Sequence, residues 1–290
     1  MTTKPKWKQV TVVGCGLIGS SFALALKHEQ ICDRVLGWDT SASVLEEAQA
    51  RGVIDDVDDA FSSGNISTSD LIYLATPVRE IIRFMCERIA QTKPGAIITD
   101  AGSTKRLVCD AAEEHLPPNR FFVGGHPIAG SHHSGVNHAR PDLFTDATYV
   151  LTNQNSRPQS ESFSRVRQTV EALGSRVKMM TAIDHDRALA LISHLPQLVS
   201  SALAKTTTEQ DDAATFLALA GPGYKDMTRL ADSSWSMWGD VLATNPNEIA
   251  KALDLMIERL TSARDELHRF GTDQASEFHA LRKIFRDHES

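Results

Sequence analysis

Residues 9–20 read QVTVVGCGLIGS. The run Gln9–Val13 is short and rich in β-branched residues, the pattern of a buried strand. It passes directly into Gly14-Cys15-Gly16-Leu17-Ile18-Gly19 and then into a helical stretch, Ser20–Lys27. A G-x-G-x-x-G placed between strand and helix has a physical reading. The first glycine allows a tight turn, the second lets a pyrophosphate approach the backbone, and the third lets helix and strand pack closely. The N-terminus of that helix then faces the phosphates, with Leu17 and Ile18 of the turn at the cofactor.

The next strand, Arg34–Trp38, ends at Asp39, 20 residues after Gly19. A carboxylate at this spacing accepts hydrogen bonds from the adenosine ribose and repels a 2′-phosphate. No arginine follows within the next few positions. The expected cofactor is therefore NAD rather than NADP.

The alternation continues outward from there. A helix spans Ser41–Ala50, with Ser43 and Glu46 spaced as a capping box and Gly52 as its stop. Asp70–Ala75 reads as a strand ending at Thr76-Pro77, followed by a helix to about Ala90. Ala96–Thr99 leads into Asp100-Ala101-Gly102-Ser103-Thr104-Lys105 and another helix, and Phe121–Val123 leads to His126. Ala147–Leu151 and Arg176–Met180 read as two more strands around a helix at Glu161–Leu173. This order implies an α/β fold with a Rossmann-type, doubly wound parallel sheet. Ligands bind such sheets beyond the carboxyl ends of the strands, where Gly14, Asp39, Thr76, Ser103 and His126 all fall.

After about Thr181 the strand signals stop. Asp184–Thr206 is a long amphipathic stretch. Asn245-Pro246-Asn247-Glu248 starts another helix, with Asn245 as its cap. Ile249, Leu253, Met256, Leu260, Ala263, Leu267 and Phe270 then recur at helical spacing, and Gly271 ends the run. The expected division is 1–181, a dinucleotide-binding domain, and 182–290, an all-helical domain. So long an apolar face has few partners within one subunit, which points to a homodimer.

Composition sets bounds on function. The 290 residues carry a formal charge of −7, and no long basic block occurs. Nucleic acid and anionic membranes are thus disfavoured partners. The cysteines Cys15, Cys32, Cys86 and Cys109 form no C-x-x-C pair, as expected of reduced thiols in a cytoplasmic protein. No run approaches the ~20 apolar residues of a membrane span, and no signal-peptide pattern opens the chain. His132, His133 and His138 lie near one another, but without a second ligand cluster no metal is expected. Asp184-His185-Asp186 reads as an acidic helix start.

Four stretches together resemble the prephenate/arogenate dehydrogenases of tyrosine biosynthesis. They are Gly14–Ser21, Asp100–Lys105, Gly125-His126-Pro127-Ile128-Ala129-Gly130 with Gly135, and Ser193-His194-Leu195-Pro196. A fifth, Gly223–Arg229 running on to Met237-Trp238, fits the same family. The resemblance implies oxidative decarboxylation of prephenate: hydride passes to the nicotinamide, the 4-hydroxyl loses its proton, and carbon dioxide leaves as the ring becomes aromatic. It implies that His126 is the base for the 4-hydroxyl, on a loop that its glycines let close. Ser103, at a helix N-terminus, would orient the same hydroxyl or the nicotinamide. Arg229 would pair with a substrate carboxylate, and His194, Gln197 and Trp238 would line the substrate pocket. Thr76 and Pro77 join the glycine motif and Asp39 on the cofactor.

Two departures stand out. Some relatives carry histidine where this chain has Gln197, and many carry Ser-Asp-Pro where this chain reads Ala231-Asp232-Ser233-Ser234-Trp235. Arogenate is the alternative substrate, differing by an amino group on the side chain. A β-hydroxyacid dehydrogenase is the competing enzyme class; it needs a lysine in the helical half, for which Lys205 and Lys225 are the candidates.

Overall fold

The computed structural model describes residues 5–130, 133–152 and 160–267. Strand β1 (Trp7–Val13) is followed by α1 (Leu17–His28), β2 (Cys32–Trp38), α2 (Ala42–Ala50), the two-residue β3 (Asp56–Val57) and the single turn α3 (Ala60–Ser63). Then come β4 (Leu71–Leu74), α4 (Val78–Glu87), β5 (Ile97–Asp100), α5 (Arg106–His115), β6 (Phe121–Ile128), β7 (Thr148–Thr152), α6 (Glu161–Ala172) and β8 (Arg176–Met180). Among the described residues these eight strands form one sheet in the order β3-β2-β1-β4-β5-β6-β7-β8. The order reverses between β1 and β4, so the carboxyl ends of those strands open a crevice.

The sheet is not wholly parallel, which corrects the expectation from sequence. β6 runs parallel to β5 through Val123, then continues past the end of β5 and pairs antiparallel with β7, His126 facing Val150. The described part of the connection between β6 and β7 holds only a short 3-10 turn, Val136–His138. A parallel return needs a crossover helix, which this link does not supply. His126 is thus a residue of a paired strand, not of a closing loop. Its glycines serve close packing instead. A Cβ on Gly124 would meet Thr152 Oγ1 at 2.2 Å, and one on Gly125 would meet the Asp100 carbonyl at 2.5 Å.

The core lies on both faces of the sheet. Phe22 stacks on Tyr73 with ring centroids 3.7 Å apart. Trp7 is fully buried and donates Nε1–H to Thr169 on α6 at 3.0 Å, which ties the first strand to the last helix over the sheet.

Beyond β8 the described residues form only helices and short turns: α7 (Ala182–Leu189), a π-turn (Ala190–His194), α8 (Leu195–Thr208), α9 (Ala213–Ala218), α10 (Pro222–Thr228), a 3-10 turn (Arg229–Asp232), α11 (Trp235–Thr244) and α12 (Pro246–Glu266). The π-turn lets α7 run into α8 through Pro196, whose nitrogen has no hydrogen to donate. Phe270 and Gly271 lie outside the described residues.

Two expected caps are used differently. Ser43 bonds Ser41 Oγ at 2.9 Å rather than forming a capping box with Glu46. Asn245 stands at the cap of α12, but its side chain makes no cap bond and reaches the Asp186 carbonyl at 2.8 Å.

Candidate active site

The crevice has two ends. At the dinucleotide end, α1 starts one turn earlier than its sequence pattern, at Leu17, with Gly16 as cap. The first helical bond is Ser20 N to Gly16 O, so the amides of Leu17, Ile18 and Gly19 precede it and face outward. The side chains of Leu17 and Ile18 instead pack into the core. Gly14 has φ +91°, and a Cβ there would meet the Ala75 carbonyl at 2.7 Å. A Cβ on Gly19 would sit 2.0 Å from the Gly14 carbonyl, whereas Gly16 has nothing within 4 Å. Tight turn, close packing and an open approach therefore fall on the three glycines as the motif requires.

Asp39 closes this end. Its carboxylate accepts from Cys15 N and Ser41 N, each at 2.9 Å. A cavity of about 480 Å³ opens beside it, lined by Gly14, Gly16, Asp39, Thr76 and Pro77 among others. Thr76 Oγ1 is buried with no partner among the described residues, a hydroxyl left for a ligand. These features fit a dinucleotide.

At the other end stands a chain of three side chains. His126 Nδ1 lies 2.8 Å from His185 Nε2, and His185 Nδ1 lies 2.7 Å from Asp186 Oδ1. His126 is half-buried, while His185 and Asp186 are buried. Asp186 also accepts from Lys105 N at 2.7 Å and Arg106 N at 2.9 Å. The first amides of α5 are therefore capped by a carboxylate from α7, where their partial positive charge favours an anion.

His185 and Asp186 were missed as functional residues. Their sequence reads as an ordinary acidic helix start, and only the packing of α7 against α5 reveals their partners.

A buried clamp sets His126 in place. Lys105 and Asp100 form a fully buried ion pair. Asp100 accepts from Gly125 N at 2.9 Å, and Lys105 Nζ donates to Gly125 O at 2.8 Å. Both backbone groups of the residue before His126 are thus held. Asp100 and Lys105 bracket the stretch quoted from sequence, but nothing in the pattern shows that they pair.

Ser103 sits half-buried on the loop between β5 and α5. It is not the helix cap: α5 starts at Arg106, with Lys105 at the cap position.

His194 is buried, its ring edge-on to Trp238 with centroids 5.9 Å apart and its Nδ1 3.4 Å from Asn245 Nδ2. Gln197 donates to the Leu230 carbonyl at 2.7 Å, which ties α8 to the turn that carries Arg229. Arg229 itself is exposed, and no described bond joins it to the histidine chain. Trp238 is half-buried, and its Nε1 has no partner among the described residues. Lys205 pairs with Glu209 at the surface and Lys225 is exposed. His133 and His138 stack their rings 4.5 Å apart, and His132 lies outside the described residues.

Burial, then the neighbouring His185 and Lys105, hold His126 well below the usual histidine value. Burial also lowers His185, against the opposing pull of Asp186, and brings His194 down to about 4. All three rings are therefore neutral at pH 7. Burial pushes the Cys15 and Cys109 thiols up to about 12, so they stay protonated.

Residues 22–179 match the model of a prephenate dehydrogenase nucleotide-binding domain, and residues 181–286 match that of a prephenate dehydrogenase dimerization domain. The chain belongs to the prephenate dehydrogenase family. It is 33% identical over 281 residues to a Bacillus subtilis prephenate dehydrogenase, covering 96% of this chain and 75% of that one. Its fold superposes with a TM-score of 0.90 on the crystal structure of an A. aeolicus prephenate dehydrogenase in complex with hydroxyphenyl propionate and NAD+ (27% identity, 99% and 100% covered). It matches a Synechocystis arogenate dehydrogenase at TM-score 0.81 (29% identity, 97% and 98% covered).

Proposed function

We propose that this protein catalyses the NAD-dependent oxidative decarboxylation of prephenate to 4-hydroxyphenylpyruvate. The observation that carries the reading is the chain His126–His185–Asp186 at the end of β6. Asp186 only accepts, so His185 gives it the Nδ1 hydrogen and keeps a lone pair on Nε2. His126 must then donate from Nδ1, and its free lone pair is on Nε2. That atom takes the proton of the substrate 4-hydroxyl. Asp186 stabilises, through His185, the charge that His126 gains. When bound, NAD supplies the hydride acceptor.

The other roles follow the same reading. Ser103 orients the 4-hydroxyl, and Arg229 pairs with a substrate carboxylate in the geometry that guanidinium favours. His194, Gln197 and Trp238 form the pocket wall. The amides of Leu17 and Ile18, with Gly14, Gly16, Gly19, Thr76 and Pro77, hold the dinucleotide, and Asp39 holds its ribose.

The chain divides at 181/182 into a dinucleotide domain and a helical substrate and dimerisation domain. It works as a cytoplasmic homodimer. Exposed Leu255, Ile257 and Leu260 on α12 support the dimer, as does the match to a dimerization domain. Sedimentation as a dimer, lost in Ile257→Glu, is the expected result. No helix among the described residues is long and apolar enough to cross a membrane.

One observation favours arogenate as a second substrate. The Leu230 carbonyl can only accept, so the Gln197 amide presents its nitrogen there and turns Oε1 away. Oε1 is buried without a donor among the described residues. The ammonium of arogenate brings such a donor, whereas the keto group of prephenate does not.

NADH formation from NAD with prephenate or arogenate, offered separately, tests the reading. Turnover that His126→Asn reduces by about 10²–10⁴ supports it; full activity of that variant removes His126 as the base.

A further inference from the structure

The dinucleotide cavity has a wall that the glycine motif does not describe. Glu80, Arg83 and Phe84 of α4, with Arg88 at its C-cap, line it opposite Trp38, Asp39 and Thr40. The spacing of Glu80, Arg83 and Phe84 puts these three on one helix face. Two guanidinium groups therefore share the cavity with Asp39, although the first arginine after Asp39 in sequence is Arg51.

The two arginines are held differently. Arg88 lies over the Trp38 ring, 5.2 Å from its centroid, and donates to the Phe61 carbonyl. It is a fixed part of the wall. Among the described residues Arg83 is held by Glu80 alone, one turn earlier on the same helix, with both side chains about half exposed. Such a pair adds little to folding stability. Its position over the cavity gives it another consequence.

A 2′-phosphate needs a cation, and a guanidinium meets phosphate best with two parallel hydrogen bonds. Arg83 is the cation with the weaker hold. Glu80 both occupies it and adds a second negative charge to the wall, which repels a phosphate as Asp39 does.

We propose that Glu80 is a second determinant of cofactor choice: by holding Arg83 it withholds the cation that a 2′-phosphate requires, so that preference for NAD over NADP rests on Asp39 and Glu80 together. This deepens the reading of the crevice as an NAD site and rests on it.

The test is fluorescence titration with NADH and with NADPH, read as the ratio of the two dissociation constants. Binding is the readout, so the identity of the substrate does not enter. In the parent protein NADH binds and NADPH binds far more weakly. Asp39→Ser lowers the ratio about tenfold, and Glu80→Gln lowers it about three- to tenfold in either background. Adding Arg83→Ala to the double variant returns the ratio to that of Asp39→Ser alone. Glu80→Gln is a surface change that keeps the fold, so it tests the proposal even where Asp39→Ser folds poorly.

A ratio that Glu80→Gln leaves within about twofold of its parent overturns the proposal. So does a gain that survives Arg83→Ala but is lost in Arg88→Ala, which assigns the phosphate to the other arginine. Failure of the parent protein to bind NADH overturns the NAD reading together with the proposal. NADH binding with an unmoved ratio overturns the proposal alone.

Discussion

His185 Nε2 lies 2.8 Å from His126 Nδ1, and the two rings meet edge to face with centroids 5.0 Å apart. This contact fixes both the tautomer and the angle of His126. Leucine at position 185 would fill similar space but accept no hydrogen bond. His126 could then turn or present the wrong nitrogen. His185→Leu is expected to lower kcat about 10²-fold, the scale of a slightly misplaced catalytic group, with the NADH dissociation constant unchanged. Near-normal kcat would mean that His126 is held by the strand alone.

The same burial sets the pH response. An unfolded histidine takes a proton near 6.5, whereas folded His194 resists until about 4. Between these values the unfolded chain binds a proton that the folded chain refuses. Stability is therefore complete above about pH 6.5 and falls on acidification, by about 3 kcal/mol from His194 alone at pH 4. His126 and His185 are shifted in the same direction and add to the loss. Denaturant midpoints across pH 4–8 check this, and His194→Gln should flatten the curve. The acid limb of kcat/KM should turn below pH 6.5, because protonated His126 is no base. An inflection at or above 6.5 would contradict the burial argument.

Lys105 carries its charge in the dry interior, against Asp100 and the Gly125 carbonyl. Lys105→Met removes the cation and leaves Asp100 buried with only amide donors. Breaking such a pair costs about 3–5 kcal/mol. Because Gly125 precedes His126, kcat should fall as well. Urea unfolding and steady-state rates on the same preparation measure both. A loss of stability at full kcat would show that the clamp serves folding only.

The dinucleotide end of the crevice was legible in the sequence because its parts are local. Gly14, Gly16, Gly19 and Asp39 lie within one βαβ unit, where spacing fixes geometry. The catalytic end was legible only in part. His126 stood out, but His185 and Asp186 act across 59 residues or more, and no local period records that α7 docks on the start of α5. The strand around His126 was read as a loop for a related reason: Gly124 and Gly125 look like flexibility in sequence, yet they are glycines because Thr152 and Asp100 leave no room for a Cβ. The reversed β7 was hidden by the assumption that every connection between strands crosses the sheet.

Gln197 offers a test of substrate choice at a single position. Its nitrogen is committed to the Leu230 carbonyl, so its buried oxygen can only accept. Histidine there could donate that same bond, but it would no longer present a fixed amide oxygen. Arogenate would lose an acceptor for its ammonium, while prephenate would lose nothing. The ratio of kcat/KM for arogenate over prephenate should therefore fall in Gln197→His by about tenfold, the worth of one charge-assisted hydrogen bond. Gln197→Glu should shift the ratio the other way, because a carboxylate attracts the ammonium that arogenate carries and prephenate lacks. If both variants change the two substrates equally, Oε1 does not face the side chain, and the choice between prephenate and arogenate is made elsewhere in the pocket.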